Sequence, residues 1–255
     1  MIKQITLYGM VLILIAMVNL NPVTVTKAQA QDNSRILSMT EFTLKQGHNT
    51  QFREGIKAWK ACYLENEGEW TWNLWSRVQG EGNVYLLASY MDKWAEMDDA
   101  SDEAGQACQN LAINLINPNV EKAVSNMART MPDMSKDVVD GTEVVSVYLW
   151  RVNNSSKFLE TIRSVQSSLK KQEGDLRGYW YNSVGGDLNA PHYFVVTPYP
   201  NFAAMDKPMD GVWDVVAKAE GNKKRDQLQA DYRGAVDQSW SYMYRRVGDL
   251  SNAGN

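Results

Sequence analysis

The sequence predicts an α+β protein: two β-α-β-β-α-β units on one chain that pack sheet to sheet as a single barrel. Two observations predict it, an internal repeat and the hydrophobic periodicity inside each copy. Tyr85-Leu86-Leu87-Ala88-Ser89-Tyr90 through Met97-Asp98 aligns without a gap on Tyr193-Phe194-Val195-Val196-Thr197-Pro198 through Met205-Asp206, at a spacing of 108. Ile36-Leu37-Ser38-Met39 meets Val144-Val145-Ser146-Val147 at the same spacing. Phe52, Ile56, Trp59 and Tyr63 meet Phe158, Ile162, Val165 and Leu169 at a spacing of 106. The run from Arg129 to Ser135 echoes the run from Arg245 to Ser251. The expected organisation is a signal segment over residues 1–30, a first unit over 31–137 and a second over 138–255.

Each unit is read element by element. Ile36 to Leu44 and Val144 to Val152 are apolar or β-branched runs that suit first strands with two buried faces. Positions 52, 56, 59 and 63, and likewise 158, 162, 165 and 169, mark one face of a first helix. Trp70 to Val78 and Leu176 to Val184 are aromatic-rich second strands. Asn83 to Tyr90 and His192 to Thr197 are third strands, entering second helices near Asp92 and Asn201. Met127 to Met131 and Tyr242 to Val247 are fourth strands. Asn117-Pro118-Asn119 and the stretch from Gly221 to Lys224 break the second helical regions, so a short extra helix is expected before each last strand.

The first 30 residues read as an export signal: Lys3 is the basic end, Leu7 to Val18 is mostly apolar, and Ala28-Gln29-Ala30 is a small-residue cleavage site. A periplasmic or secreted protein is therefore expected, with no membrane attachment after cleavage. Oxidising surroundings favour a disulfide between Cys62 and Cys108, the alternative being two buried thiols. The net charge of −4 argues against a nucleic-acid partner. Two His and two Cys leave little material for a metal cluster, whereas 9 Trp and 12 Tyr suit an apolar cavity with polar tips. No phosphate-binding loop, Ser-His-Asp order or zinc spacing occurs, and no cofactor or metal is expected.

The first strand with its Gly47 loop and Phe52 helix opening, and the Tyr90-Met91-Asp92-Lys93-Trp94-Ala95-Glu96-Met97 passage, resemble the dimeric α+β barrel superfamily of ferredoxin-like units, especially its tandem-repeat members. The resemblance spans about Arg35 to Ser251. It implies a closed intramolecular barrel and a cavity used for quinol-type monooxygenation, haem breakdown or simple ligand binding. Haem-breakdown members combine an Asn, a Trp and a His; Asn73, Trp59 and His192 supply those types here without matching that motif by position. Pairing of the units within one chain leaves monomer and homodimer both open.

Strand alternation then selects candidate ligand-binding residues. Asn73, Trp75 and Arg77 share one face of the second strand, against Trp72, Leu74 and Ser76 on the other. Tyr179, Tyr181 and Ser183 correspond in the second unit. A face carrying Asn73, Trp75, Arg77, Tyr179 and Tyr181 can hold a hydrophobic or aromatic molecule by stacking and a few hydrogen bonds, or serve as the interface between the units. His192, opening the third strand of the second unit, is a further candidate for ligation or proton transfer, while His48 reads as a loop residue. Glu41 and Arg151 are charges inside apolar first strands; Glu41 with Arg77 would make a proton-active pair. The expected function is an exported small-molecule binding protein, the alternatives being a cofactor-independent monooxygenase-like enzyme and a haem-binding protein. Whether the chain is an enzyme is left open by the sequence.

Overall fold

A computed structural model describes residues 34–98 and 102–254. The expected export signal lies outside the described residues. Among the described residues there are eight strands: β1 (Ile36–Leu44), β2 (Asn73–Arg77), β3 (Asn83–Met91), β4 (Val120–Thr130), β5 (Val144–Val152), β6 (Tyr179–Gly185), β7 (Tyr193–Tyr199) and β8 (Val236–Arg246). Helix α1 (Asn49–Glu65) follows β1; α2 (Glu103–Ala107) and α3 (Gln109–Leu111) precede β4; α4 (Ser155–Glu173) follows β5; α5 (Val212–Glu220) and α6 (Asn222–Ala235) precede β8.

The strands close into one antiparallel barrel in the order β1-β3-β2-β8-β5-β7-β6-β4. Four come from each half of the chain, and the halves join where β2 pairs with β8 and where β4 pairs with β6. Closure leaves no unpaired sheet edge, which is how a fold with helices on only one face of each sheet protects its backbone groups. The chain is thus an α+β barrel, the fold class expected from the sequence.

The first helices sit on the outer sheet surface for the reason their periodicity gives. In α1, Phe52 and Tyr63 are buried, and in α4 Phe158, Ile162, Val165 and Leu169 are. Asn154 accepts a hydrogen bond from the Lys157 N–H at the start of α4, and Gly174 ends that helix in the left-handed region (φ 80°), a conformation glycine enters without steric cost. Leu44, Phe52, Leu74, Tyr85 and Ile116 fill the layer between helices and sheet in the first half. Met134, Trp150, Phe158, Ile162 and Trp180 do so in the second. Trp150 and Trp180 stack at 5.2 Å, and Phe158 lies 5.2 Å from Tyr193.

Several element limits differ from the sequence expectation. The second strands begin later than Trp70 and Leu176: Trp72 makes an isolated bridge with Asn252, while Trp70 and Trp72 pack against Trp59 and Tyr63 of α1. The fourth strands are much longer than Met127–Met131 and Tyr242–Val247, since Glu121, Lys122, Asp237 and Gln238 open them with polar side chains at a solvent-facing barrel rim. Short 3-10 turns, Trp94–Met97 and Phe202–Asp206, stand where second helices were expected to start. The helix after Gly221 runs 14 residues rather than forming a short insert. Cys62 and Cys108 are disulfide-bonded, with Cα atoms 5.9 Å apart, tying α1 to the end of α2.

Candidate functional site in the barrel interior

Because β-strand side chains alternate, each strand of a closed barrel sends one set inward and the other to the helix layer. Leu74 and Tyr85 accordingly join α1, while Trp75 and Leu86 turn inward. The inward set does not fill the barrel. It encloses a cavity of about 1000 Å³, lined among others by Leu37, Met39, Val145, Val147, Phe194 and Val196. That volume sits at the upper end of the range for small-molecule sites.

Asn73, Trp75, Arg77, Tyr179 and Tyr181 all line this cavity. His192 does not: it is exposed on the rim beyond the lining, with its ring Nδ1 3.1 Å from the backbone N of Val152. His48 is likewise outside, its Nδ1 2.8 Å from Asn119 Oδ1. A haem in the barrel would therefore find no imidazole ligand from this chain. Among the described residues no group of three or more potential metal ligands occurs, and no helix is long and apolar enough to cross a membrane.

Charged groups concentrate where β1 and β2 finish. Arg77 Nη1 lies 3.7 Å from Glu41 Oε1, its Nη2 donates to the Glu81 carbonyl, and its guanidinium stacks 4.7 Å from the Tyr242 ring. The Arg77 side chain is only 9% exposed and its Nε has no hydrogen-bond acceptor. Tyr244 Oη reaches within 3.5 Å of Glu41 Oε2. Arg151 stands on β5 with its guanidinium 5.9 Å from the Trp240 ring and an Nη2 bond of 3.2 Å to Asn189. At the opposite end, the Tyr90 and Tyr181 hydroxyls lie 2.7 Å apart and Arg35 stacks over Tyr90.

Trp240, Tyr242 and Tyr244 were not singled out from the sequence. From Trp240 to Tyr244 every second residue of β8 puts an aromatic ring on the barrel interior, where β4 at the matching positions offers Val124, Asn126 and Ala128. The period-two aromatic run was the available signal, but it straddles the start expected for the fourth strand.

Burial dominates the electrostatics of the tyrosines. It pushes the Tyr181 and Tyr244 hydroxyls well above the ordinary phenol range, helped by Tyr90 in the first case and by the Glu41 charge in the second. Tyr90 is raised too, by burial partly offset by its bond to Tyr181. Tyr90 lines the cavity, where 39% of its surface is accessible. These groups stay protonated in the folded state at a pH where the unfolded chain ionises. Their contribution to stability is intact below about pH 10 and is lost as pH rises through the folded values. The unfolding free energy from urea titrations between pH 8 and 11.5 is expected to fall above pH 10, by about 1.4 kcal/mol per pH unit for each buried tyrosine held neutral. Tyr244→Phe and Tyr181→Phe should each make that decline shallower.

No protein-family model matches the sequence, and no curated protein matches it. Solved structures of the same fold do. A candidate monooxygenase from Lactobacillus acidophilus NCFM is similar at 11% identity and a TM-score of 0.50, covering 87% of this chain and 97% of that one. An anthrone oxidase-like protein is similar at 9% identity and a TM-score of 0.51, covering 88% and 98%. These likenesses establish the α+β barrel fold.

Proposed function

We propose that this chain is a cofactor-independent oxygenase that takes a planar phenolic or quinol-type molecule into its barrel. The observation that carries the reading is the apolar cavity of about 1000 Å³ into which Glu41, Arg77 and Tyr244 converge. Two solved structures of the same fold, described as a candidate monooxygenase and an anthrone oxidase-like protein, support the choice of chemistry.

The chain's own groups suit that chemistry. Trp75, Trp240 and Tyr242 offer ring faces for a flat substrate, and aliphatic side chains such as Leu37, Val145 and Val147 offer it apolar contact. Glu41 is the acceptor for a proton from a phenol or from an activated ring CH₂, and Arg77 balances its charge. The resulting electron-rich anion reduces dioxygen itself. Overall, a ring CH₂ group and O₂ become C=O and H₂O, and a quinol and O₂ become a hydroxyquinone and H₂O, one oxygen atom entering the product and the other leaving as water in each case. We further propose that the two halves arose as a tandem repeat and that the protein works after export, the latter on the evidence of Lys3, the apolar run and Ala28-Gln29-Ala30.

The test is oxygen consumption by the purified protein with anthrone and with hydroquinone. Uptake by the wild type that falls at least tenfold in Glu41→Gln supports the reading. Absence of uptake with both overturns it. The second reading, a binding protein for an aromatic molecule, rests on the same cavity; it stands if the ligands quench Trp fluorescence without turnover.

A further inference from the structure

The paired hydroxyls of Tyr90 and Tyr181 contain two hydrogens but share only one hydrogen bond, 2.7 Å long. Among the described residues neither hydroxyl has another hydrogen-bond partner within the protein. One O–H is therefore left over, and both tyrosines line the cavity. The neighbouring Tyr179 differs: its hydroxyl lies 3.0 Å from the Val139 backbone N–H, from which it accepts, and 3.4 Å from the Asp137 carbonyl, to which it donates.

The geometry points to the Tyr90–Tyr181 pair as an oxygen-recognition subsite, donating its spare O–H to a keto or phenolate oxygen of the molecule held in the barrel. Three physical points support this. A buried polar hydrogen is costly to leave unpaired, so the pair favours an occupant that brings an acceptor. A hydroxyl that accepts one hydrogen bond becomes a better donor in the next, so the pair outperforms a lone tyrosine. Both hydroxyls are held protonated by their surroundings and can donate across the neutral pH range. Arg35, stacked 5.0 Å from the centre of the Tyr90 ring, is paired with Asp92 at 2.6 Å, so recognition at this end rests on the two hydroxyls and not on a free charge. The subsite lies at the far end of the cavity from Glu41. A ligand that uses both is a fused-ring ketone or phenol with its oxygen at the Tyr pair and its reactive carbon toward the Glu41 end.

This inference rests on the reading of the barrel as a small-molecule site, and the experiment separates the two. The probes are 2-acetylnaphthalene and 2-ethylnaphthalene, alike in shape, of which only the ketone carries an acceptor. Wild-type protein is expected to bind the ketone about tenfold more tightly than the hydrocarbon. The carbonyl stretch of the bound ketone should lie below its position in alkane solvent. In Tyr90→Phe/Tyr181→Phe both the tenfold preference and the frequency shift should vanish while hydrocarbon affinity holds. Tyr90→Phe alone should keep part of the shift, because Tyr181 still has its hydrogen. An unshifted carbonyl band in the wild type, or the same shift in the double variant, overturns the subsite and leaves the barrel site standing. Failure of both probes to bind overturns the subsite and the barrel site together.

Discussion

Phe158→Ala is expected to destabilise the protein by about 3–5 kcal/mol, the usual cost of deleting a fully buried aromatic side chain. Phe158 has no accessible surface and packs against Trp150, Trp180, Tyr193 and Tyr232 from its place on α4. Two features push the cost upward. The stacked indoles of Trp150 and Trp180 are rigid and cannot collapse into the space left behind, and Trp150 is further fixed by its Nε1 bond to the Tyr232 hydroxyl. In a chain of this size the melting temperature should fall by roughly 10 °C. Thermal unfolding followed by near-ultraviolet circular dichroism reads both the shift and the loss of the coupled indole signal. Phe158→Leu, which refills most of the volume, should recover more than half of the loss. Equal melting temperatures for the alanine variant and the wild type would show that α4 does not anchor the second half of the barrel.

Reduction of the Cys62–Cys108 bond should have the next largest effect. The bond closes a loop of 46 residues, which in the chain-entropy account stabilises by about 3–4 kcal/mol. Cys108 is fully buried at the end of α2, beside the cluster of Tyr63, Trp72 and Ala104. Ala104 and Ile116 of the same segment are buried as well, so the bond acts together with their packing in holding that segment to α1. Reductant, or paired Cys62→Ser and Cys108→Ser substitutions, should lower the melting temperature by roughly 10 °C and accelerate amide exchange first in Glu103–Ile116. Unchanged melting under reductant would remove the bond from the list of stabilising features.

Most of the fold was legible because it depends on patterns that burial enforces. The limits of β1 and β5 coincide with the apolar runs that predict them, since those strands meet the helix layer on one face and the barrel interior on the other. Phe52 and Phe158 were legible as helix-face residues for the same reason. The first halves of β4 and β8 were not, because polar side chains at a wet rim obey backbone pairing without showing hydrophobic alternation. The face shared by Asn73, Trp75 and Arg77 followed from alternation alone. Whether it faced a cavity or a filled interface depended on how nearly the inward side chains fill the barrel, a sum over all eight strands that local sequence does not contain. His192 was chosen for its chemistry rather than its position; it shares the parity of Phe194 and Val196 but precedes β7, and its ring is held by the Val152 backbone outside the lining.

The unlike walls of β4 and β8 have a geometric consequence. A barrel built from two identical chains has a symmetry axis through its centre, and any molecule lying there sees the same surroundings after half a turn. Two superimposable poses are then equally populated, and no reactive atom can be assigned to one wall. Joining both halves in one polypeptide removes that constraint, because each half can change without the other. With Trp240, Tyr242 and Tyr244 facing Val124, Asn126 and Ala128, and Glu41 answered by Leu149, half a turn no longer restores the surroundings. An occupant is handed a left and a right, and the cavity can dictate which of its faces meets which wall.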